Sequence, residues 1–240
     1  MVFRVFPVTY LYILIIIACY FLGAIPFMIL IGRARGVDLS RAPDLHHALW
    51  YDVGRGWGIL GFMLDVLKGV APVLAGFLLG FPPGINALAG LAALCGQMWP
   101  VFRKFDGERG NTVSVGITFT LSIAYGVPLM FLIALGFAMA GFAVRTALRW
   151  KSSGSNLSER LKLGGSPSLV FPLGVIIGFA SFPFSSAILG QPLQMTLGLS
   201  GVVLLILIRR LTAGLRADLR GSSHPLNVII NRLLFDRSER

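Results

Sequence analysis

The residues able to do chemistry in this sequence fall into a few short stretches. Asp65 and Lys68 stand three apart within an otherwise apolar segment, so a helix places them on one face. Ionisable groups at membrane depth are costly unless paired or facing a wet cavity. The pair therefore either orients a helix or sets Lys68 at the lip of an anion site. A second stretch, Gly107-Glu108-Arg109-Gly110-Asn111-Thr112, puts glycines beside a cation at a predicted helix start. Backbone N–H groups there point at a ligand and the helix dipole favours negative charge, as phosphate binding requires. A tight turn with membrane-anchoring cations has the same composition. His46 and His47 are adjacent, so on a regular element they point in different directions, and no third ligand has metal spacing nearby. No metal and no cofactor is expected. His224-Pro225-Leu226-Asn227 leads into a stretch that reads as an amphipathic interfacial helix. Neither a G-x-S-x-G nucleophile motif nor an acid–base pair of suggestive spacing occurs.

These stretches are carried by a chain built for lipid. Its 240 residues are 55% hydrophobic and 13% charged, where a soluble domain needs roughly 25% charged residues. Basic residues outnumber acidic ones 21 to 10, but they lie between long apolar runs, which indicates membrane topology and argues against nucleic acid. Cys19 and Cys95 sit inside apolar runs as packing residues, with no disulfide framework. The uncharged runs are 5–32, 69–102, 110–144 and 163–208. Pro82-Pro83-Gly84, Gly126 with Pro128, and Gly190-Gln191-Pro192 break the last three, each break reading as a hairpin tip. The expectation is an all-α, polytopic membrane helix bundle. It forms a single integral membrane domain over 1–240, with spans near 8–32, 58–80, 85–102, 110–125, 128–147, 168–188 and 193–209 and a tail over 210–240. The runs lack the amphipathic periodicity of a soluble bundle. The first run is too long for a signal-peptide core and reads as a retained helix.

Lysine and arginine set the orientation. The hairpin tips carry no charge, whereas the opposite connections carry Arg33 to Arg55, Arg103 to Arg109, Arg145 to Lys162 and Arg209 onward. The positive-inside rule then puts the N-terminus outside and the C-terminus in the cytoplasm. All ten acidic residues and all three histidines fall on the cytoplasmic side. From residues alone the chain is a multi-pass membrane protein with a cytoplasmic anion-binding face.

Its motifs also resemble a known family, the bacterial acyl-phosphate:glycerol-3-phosphate acyltransferases of the PlsY type. The run from Gly96-Gln97-Met98-Trp99-Pro100-Val101-Phe102 to Gly110 resembles that family's GHxFPVFxxFKGGKG pattern. Gly23-Ala24-Ile25-Pro26-Phe27 resembles its GSIPF start, and Asp65-Val66-Leu67-Lys68-Gly69 its D-x-x-K-G element. His224 and Asn227, ahead of Arg232-Leu233-Leu234, resemble its C-terminal HxxNIxRL. The resemblance implies a seven-span enzyme of the bacterial inner membrane. It would move a fatty acyl group from acyl phosphate to glycerol 3-phosphate, giving lysophosphatidic acid without a protein nucleophile or cofactor. Its partners would be those two substrates and membrane lipid. By the same resemblance Arg41, Lys68 and Arg109 hold phosphate, and His224 and Asn227 line the glycerol 3-phosphate pocket. Ser40, Asp65, Gly107, Gly110, Asn111, Thr112 and Ser168 complete the substrate-binding set.

The chain also departs from the pattern. Where the family has a glycine-rich GSGNxGATN loop, this sequence has Ala42 to Asp52, with Asp44, His46 and His47. Gln97 replaces the histidine of the second motif, and GERG replaces GGKG, setting Glu108 where a phosphate belongs. A catalytically degenerate relative acting as a membrane scaffold or regulator therefore stands beside the enzyme as an alternative. A transporter is a third reading, disfavoured by short, uncharged outer loops.

Overall fold

The helices start and stop where proline and glycine dictate. In the computed structural model, which describes residues 5–42, 44–151, 170–220 and 224–235, every regular element among the described residues is helical. Residues 1–126 and 127–240 form two compact units.

In the first unit, helix α1 (Val5–Ala24) gives way to α2 (Phe27–Ala34) at Ile25-Pro26, with a bend of 42°. Pro26 supplies no N–H and its ring obstructs the preceding turn, so the apolar run expected as one span over 8–32 is broken. Then come a short helix α3 (Leu45–Ala48), a π-turn over Leu49–Val53, and the long α4 (Arg55–Leu78). After α4, Gly80 takes a left-handed conformation, and Phe81 N–H donates to the Gly76 carbonyl at 2.9 Å. That closure uses up carbonyls a helix end leaves bare. Helix α5 (Pro83–Met98) starts on a proline, where the missing N–H costs nothing, and α6 (Asn111–Ala124) completes the unit.

Two helix pairs pack backbone to backbone. A Cβ at Gly69 would lie 2.2 Å from the Val113 carbonyl oxygen, and one at Gly116 would lie 2.2 Å from that of Val66, so α4 and α6 touch through glycine on both sides. Helices α1 and α5 do the same through Gly23 against Ala93 and Gly96 against Tyr20. In lipid, where apolar side chains gain little by leaving their surroundings, such close packing is a principal source of helix association. Buried Met28, Ile29, Leu39, Leu45, Ala48 and Leu49 form one apolar cluster. It pins the connection carrying His46 against α2, and Leu49 packs over Gly61 of α4. Asp44 caps α3 by accepting the His47 backbone N–H at 3.0 Å.

The second unit contains α7 (Pro128–Lys151), α8 (Val170–Ile188), α9 (Leu193–Thr212), α10 (Leu215–Arg220) and α11 (Pro225–Phe235). Gly174 and Gly178 of α8 lie against the α7 backbone at Phe137 and Ala134. Arg232 of α11, almost fully buried, pairs with Asp218 and donates to the carbonyls of Arg210 and Ala213. Arg210 in turn donates to the Leu233 carbonyl at 3.2 Å. Two arginines thus cap one another's helix ends.

By length and composition α4, α5 extended to Arg103, the 128–147 part of α7, and α9 are able to cross a membrane, and the bent α1–α2 pair makes a fifth candidate. Helix α6 and residues 172–188 of α8 are apolar but shorter. Exposed apolar side chains such as Leu14, Leu67, Leu78 and Ile188 cover their outer faces, as expected of surfaces solvated by acyl chains.

The α4–α6 contact yields a direct test. Replacing Gly116 by Val forces a side chain into backbone atoms that have no freedom to rotate away, at a cost of about 1–3 kcal/mol or more. Gly136→Ala meets nothing within 4 Å. The first substitution should lower the thermal unfolding midpoint of the purified protein clearly, and the second, at an exposed helical glycine, should leave it in place or raise it slightly. Equal midpoints would contradict the packing.

Candidate functional site

In the first unit His46, Lys68 and Glu108 gather at or near Asp65. This residue is fully buried, and Lys68, one turn on along α4, is 2% exposed. Lys68 Nζ lies 2.7 Å from Asp65 Oδ1, so the i,i+3 spacing does place both on one face and they do pair. The Lys68 ammonium also sits 5.1 Å from the centre of the Phe27 ring, a cation–π contact in a dry setting. On the other carboxylate oxygen, Gln97 Nε2 donates to Asp65 Oδ2 at 2.9 Å and reaches Thr112 Oγ1 at 3.3 Å. Gln97 thereby ties the end of α5 to α4 and to the start of α6.

The connection between α5 and α6 is folded back onto the end of α5. Gly107 N–H donates to the Met98 carbonyl at 3.2 Å and Glu108 N–H to that of Gln97 at 3.1 Å. A Cβ at Gly107 would lie 2.1 Å from the Gln97 carbonyl oxygen, so this return needs glycine there. Lys104 and Phe105 adopt left-handed backbone conformations in the tight turn before it. The fold-back delivers Glu108 to the centre of the site, where Glu108 Oε2 lies 3.4 Å from His46 Nε2. His46 Nε2 is also 3.5 Å from Asp65 Oδ2. Burial opposes a charge on this imidazole, but the hydrogen bond and charge of Glu108, with Asp65 and Asp44, outweigh it and hold His46 above the ordinary histidine value.

Beside this cluster is a small cleft bordered by Pro26, Lys68, Gln97, Arg103, Gly107 and Glu108. It offers two cations, an amide and a glycine turn, with one carboxylate among them. Such a wall suits an anion with a protonatable edge, and phosphate is one.

The predicted site residues separate into groups. Asp65, Lys68, Gly107 and Thr112 belong to the cluster or its cleft. Gly110, in a left-handed conformation, and Asn111 form the start of α6, with the Asn111 Oδ1 buried and without a hydrogen-bond partner. Arg109 is exposed beside them. Ser40 and Arg41 lie in the turn after α2, where the Ser40 N–H donates to Asp38 Oδ1 at 2.9 Å, and that bond holds the Asp38 carboxyl below its ordinary value. No hydrogen bond or ion pair among the described residues joins Arg41 to the cluster. His224 and Asn227 open α11 in the second unit, both exposed, with the Asn227 N–H donating to the His224 carbonyl. Ser168 lies outside the described residues.

His46, Gln97, Glu108 and Arg103 were not among the predicted site residues. Sequence spacing showed no third metal-type ligand near His46, and tertiary structure supplies two, Asp65 and Glu108. The only signal available was that His46, Gln97 and Glu108 are the departures from the family pattern.

Comparison with known proteins finds relatives over most of the chain. Positions 13–216 match the family model described as glycerol-3-phosphate acyltransferase. Curated relatives include the glycerol-3-phosphate acyltransferase of Rubrobacter xylanophilus, 36% identical over 118 residues, covering 48% of this chain and 59% of the relative. The glycerol-3-phosphate acyltransferase 5 of Dehalococcoides mccartyi is 28% identical over 239 residues, covering 95% of this chain and 90% of the relative. That of Aquifex aeolicus is 31% identical, covering 68% and 86%. Among solved structures, PlsY (YgiH), an integral membrane glycerol 3-phosphate acyltransferase, in its glycerol 3-phosphate form superposes with a TM-score of 0.62 at 25% identity, over 95% of this chain and 94% of that one. Its lysophosphatidic acid form gives 0.61 at the same identity, over 89% and 94%.

The buried pair generates a stability prediction. Lys68→Met leaves Asp65 an uncompensated buried charge, which costs about 3–5 kcal/mol. The double substitution Asp65→Asn with Lys68→Met removes both charges and should recover most of that loss in thermal unfolding. A double variant no more stable than the single one would show that the two charges are not coupled.

Proposed function

This chain belongs to the glycerol-3-phosphate acyltransferase family, and from that premise we propose that it transfers a fatty acyl group from acyl phosphate to the 1-hydroxyl of glycerol 3-phosphate. The products are lysophosphatidic acid and inorganic phosphate. The observation that carries this reading is the small cleft bordered by Lys68, Arg103 and Gly107, beside the buried Asp65–Lys68 pair. The PlsY structures with which this chain superposes are described as glycerol 3-phosphate and lysophosphatidic acid forms, the acceptor and the product of such a reaction.

Both substrates carry phosphate, and acyl phosphate already holds a good leaving group. Holding two anions near one another and aiming a hydroxyl at the acyl carbon supplies much of the rate. The hydroxyl oxygen bonds to the acyl carbon, the carbon–phosphate oxygen bond breaks, and the hydroxyl proton leaves with the phosphate or to solvent. In this reading Lys68, Arg103, Arg109 and Arg41 bind phosphate, and Asp65 positions Lys68. The α6 start at Gly110-Asn111-Thr112 adds backbone donors. By the resemblance, His224 and Asn227 match the family's pair for glycerol 3-phosphate, and Ser168 falls in a stretch similar to its serine-bearing motif. The chain crosses a bacterial inner membrane seven times, its helices α6 and α8 as short spans, with the N-terminus outside and this site facing the cytoplasm.

Glu108 at the cleft favours a second reading, a family member that has lost turnover and serves as a scaffold. Turnover separates the two. Purified protein in detergent or lipid mesophase, given palmitoyl phosphate and labelled glycerol 3-phosphate, should form lysophosphatidic acid. Arg109→Ala and Lys68→Ala should each reduce the rate by about 100-fold or more, the scale of removing one preorganised charge-stabilising donor. A folded protein inactive with several acyl phosphates would favour the scaffold. For the topology, reporter fusions near residues 82, 126 and 191 should be active only in an outside-facing format, and a C-terminal fusion only in a cytoplasmic one. A C-terminus outside the cytoplasm would overturn the orientation.

A further inference from the structure

The acyl-transfer reading gives no work to His46 or Glu108, yet both are brought to Asp65 at defined distances. His46 Nε2 is 3.4 Å from Glu108 Oε2 and 3.5 Å from Asp65 Oδ2, and the donor atoms of the three side chains all lie within 4.8 Å of one another. Around a tetrahedral divalent ion with bonds of about 2.0–2.2 Å, neighbouring donors sit roughly 3.3–3.6 Å apart. Two of the three separations are therefore those of ligands on one ion. One imidazole nitrogen with two carboxylate oxygens is a donor set for Zn²⁺ or Mn²⁺, and three protein ligands leave a position open.

The surroundings of Asp65 are those of an oriented ligand. Lys68 holds one carboxylate oxygen and the Gln97 amide nitrogen donates to the other, as outer-shell partners do for ligating carboxylates. The same Gln97 amide, 3% exposed, has its Oε1 buried without a hydrogen-bond partner. The nitrogen of this amide is already on Asp65 Oδ2, so its oxygen is an orphaned buried acceptor one amide away from a proposed ligand, and a metal-bound water is one partner able to satisfy it.

We propose that His46, Asp65 and Glu108 bind one divalent first-row cation, Zn²⁺ or Mn²⁺, with an open coordination position for water or a phosphate oxygen. His46 lies in the stretch that stands in place of the family's glycine-rich loop, and Glu108 where its second motif has glycine. The site is thus built from this chain's own departures around a shared aspartate. A divalent ion balances the two carboxylates and makes the Glu108 side of the cleft attractive to phosphate. Binding of the ion rests on donor geometry alone, whereas its contact with phosphate rests on the acyltransferase reading.

The test uses full-length protein in detergent, stripped with EDTA and reloaded with Co²⁺ as a spectroscopic probe. Wild type should retain about one equivalent per chain, show visible d–d bands, and unfold at a higher temperature than the stripped form. His46→Ala and Glu108→Gln should each weaken Co²⁺ binding by about 100-fold, while His47→Ala, whose exposed ring stacks 4.4 Å from that of Tyr51, should bind as wild type. His46→Cys keeps a ligand, and a sulfur-to-cobalt charge-transfer band in the near ultraviolet would place residue 46 on the ion even if the alanine variant is poorly folded. Substoichiometric Co²⁺ on folded wild type, or equal binding by wild type and both ligand variants, would overturn the site in favour of a plain ion-pair network. Inorganic phosphate should shift the d–d bands, and bands unchanged by it would remove the phosphate contact. Metal content is read independently of turnover, so failure here and failure of the acyltransferase reading are separate results.

Discussion

An aspartate and a lysine with almost no solvent exposure, in the middle of a helix apolar enough to cross a membrane, impose the condition that the surrounding structure has to meet. Removing either charge from water costs several kcal/mol after relaxation, and their mutual attraction repays it only where geometry is good and the remaining lone pairs are satisfied. The Asp65–Lys68 contact provides the geometry. Gln97 and the Phe27 ring provide much of the rest, from α5 and α2. The pair thus forces these helices to meet at one level, which is what a binding site in an apolar bundle requires.

Holding that level is the work of close backbone contacts. Helices α4 and α6 approach through Gly69 and Gly116, and α1 and α5 through Gly23 and Gly96, at distances where any side chain would collide with a carbonyl. These contacts flank the pair and leave little freedom for sliding. The connection bearing His46 has no long helix to position it and relies on the apolar cluster around Leu39, Leu45 and Leu49. The connection bearing Glu108 relies on two backbone hydrogen bonds to the end of α5. A short element is thereby placed as firmly as a long one, since what positions it is burial and hydrogen bonding, not length.

Residues that look like unrelated departures along the chain are neighbours in space. Gln97 takes up Asp65 Oδ2, His46 approaches the same oxygen, and Glu108 answers His46. Glu108 alone would repel an anion from the cleft it borders, and His46 alone beside a buried carboxylate adds a costly partial charge. Together they offset one another, and together they present the donor set of a metal centre. The arginines of the second unit show the same economy on a structural task, with Arg210 and Arg232 each satisfying carbonyls at the other's helix end.

Much of this was legible in residue order. Charge depletion, runs of apolar residues and proline-glycine breaks determined an all-helical membrane protein, because continuous apolar runs of about 20 residues satisfy their backbone in lipid as helices, whereas barrel strands are about half that length. The i,i+3 spacing determined that Asp65 and Lys68 share a face, since helix geometry is local. Motif order determined the family. The fold-back of the loop before α6, held by the hydrogen bonds of Gly107 and Glu108 to the end of α5, was decided by tertiary structure. So was the meeting of His46, Asp65 and Glu108, residues 19 and 43 positions apart in successive steps along the chain. Proximity across such separations comes from glycine contacts and a buried apolar cluster, and spacing carries no trace of them. Sequence could name the charged groups of this protein, but only the folded chain could decide which of them share a charge to be balanced.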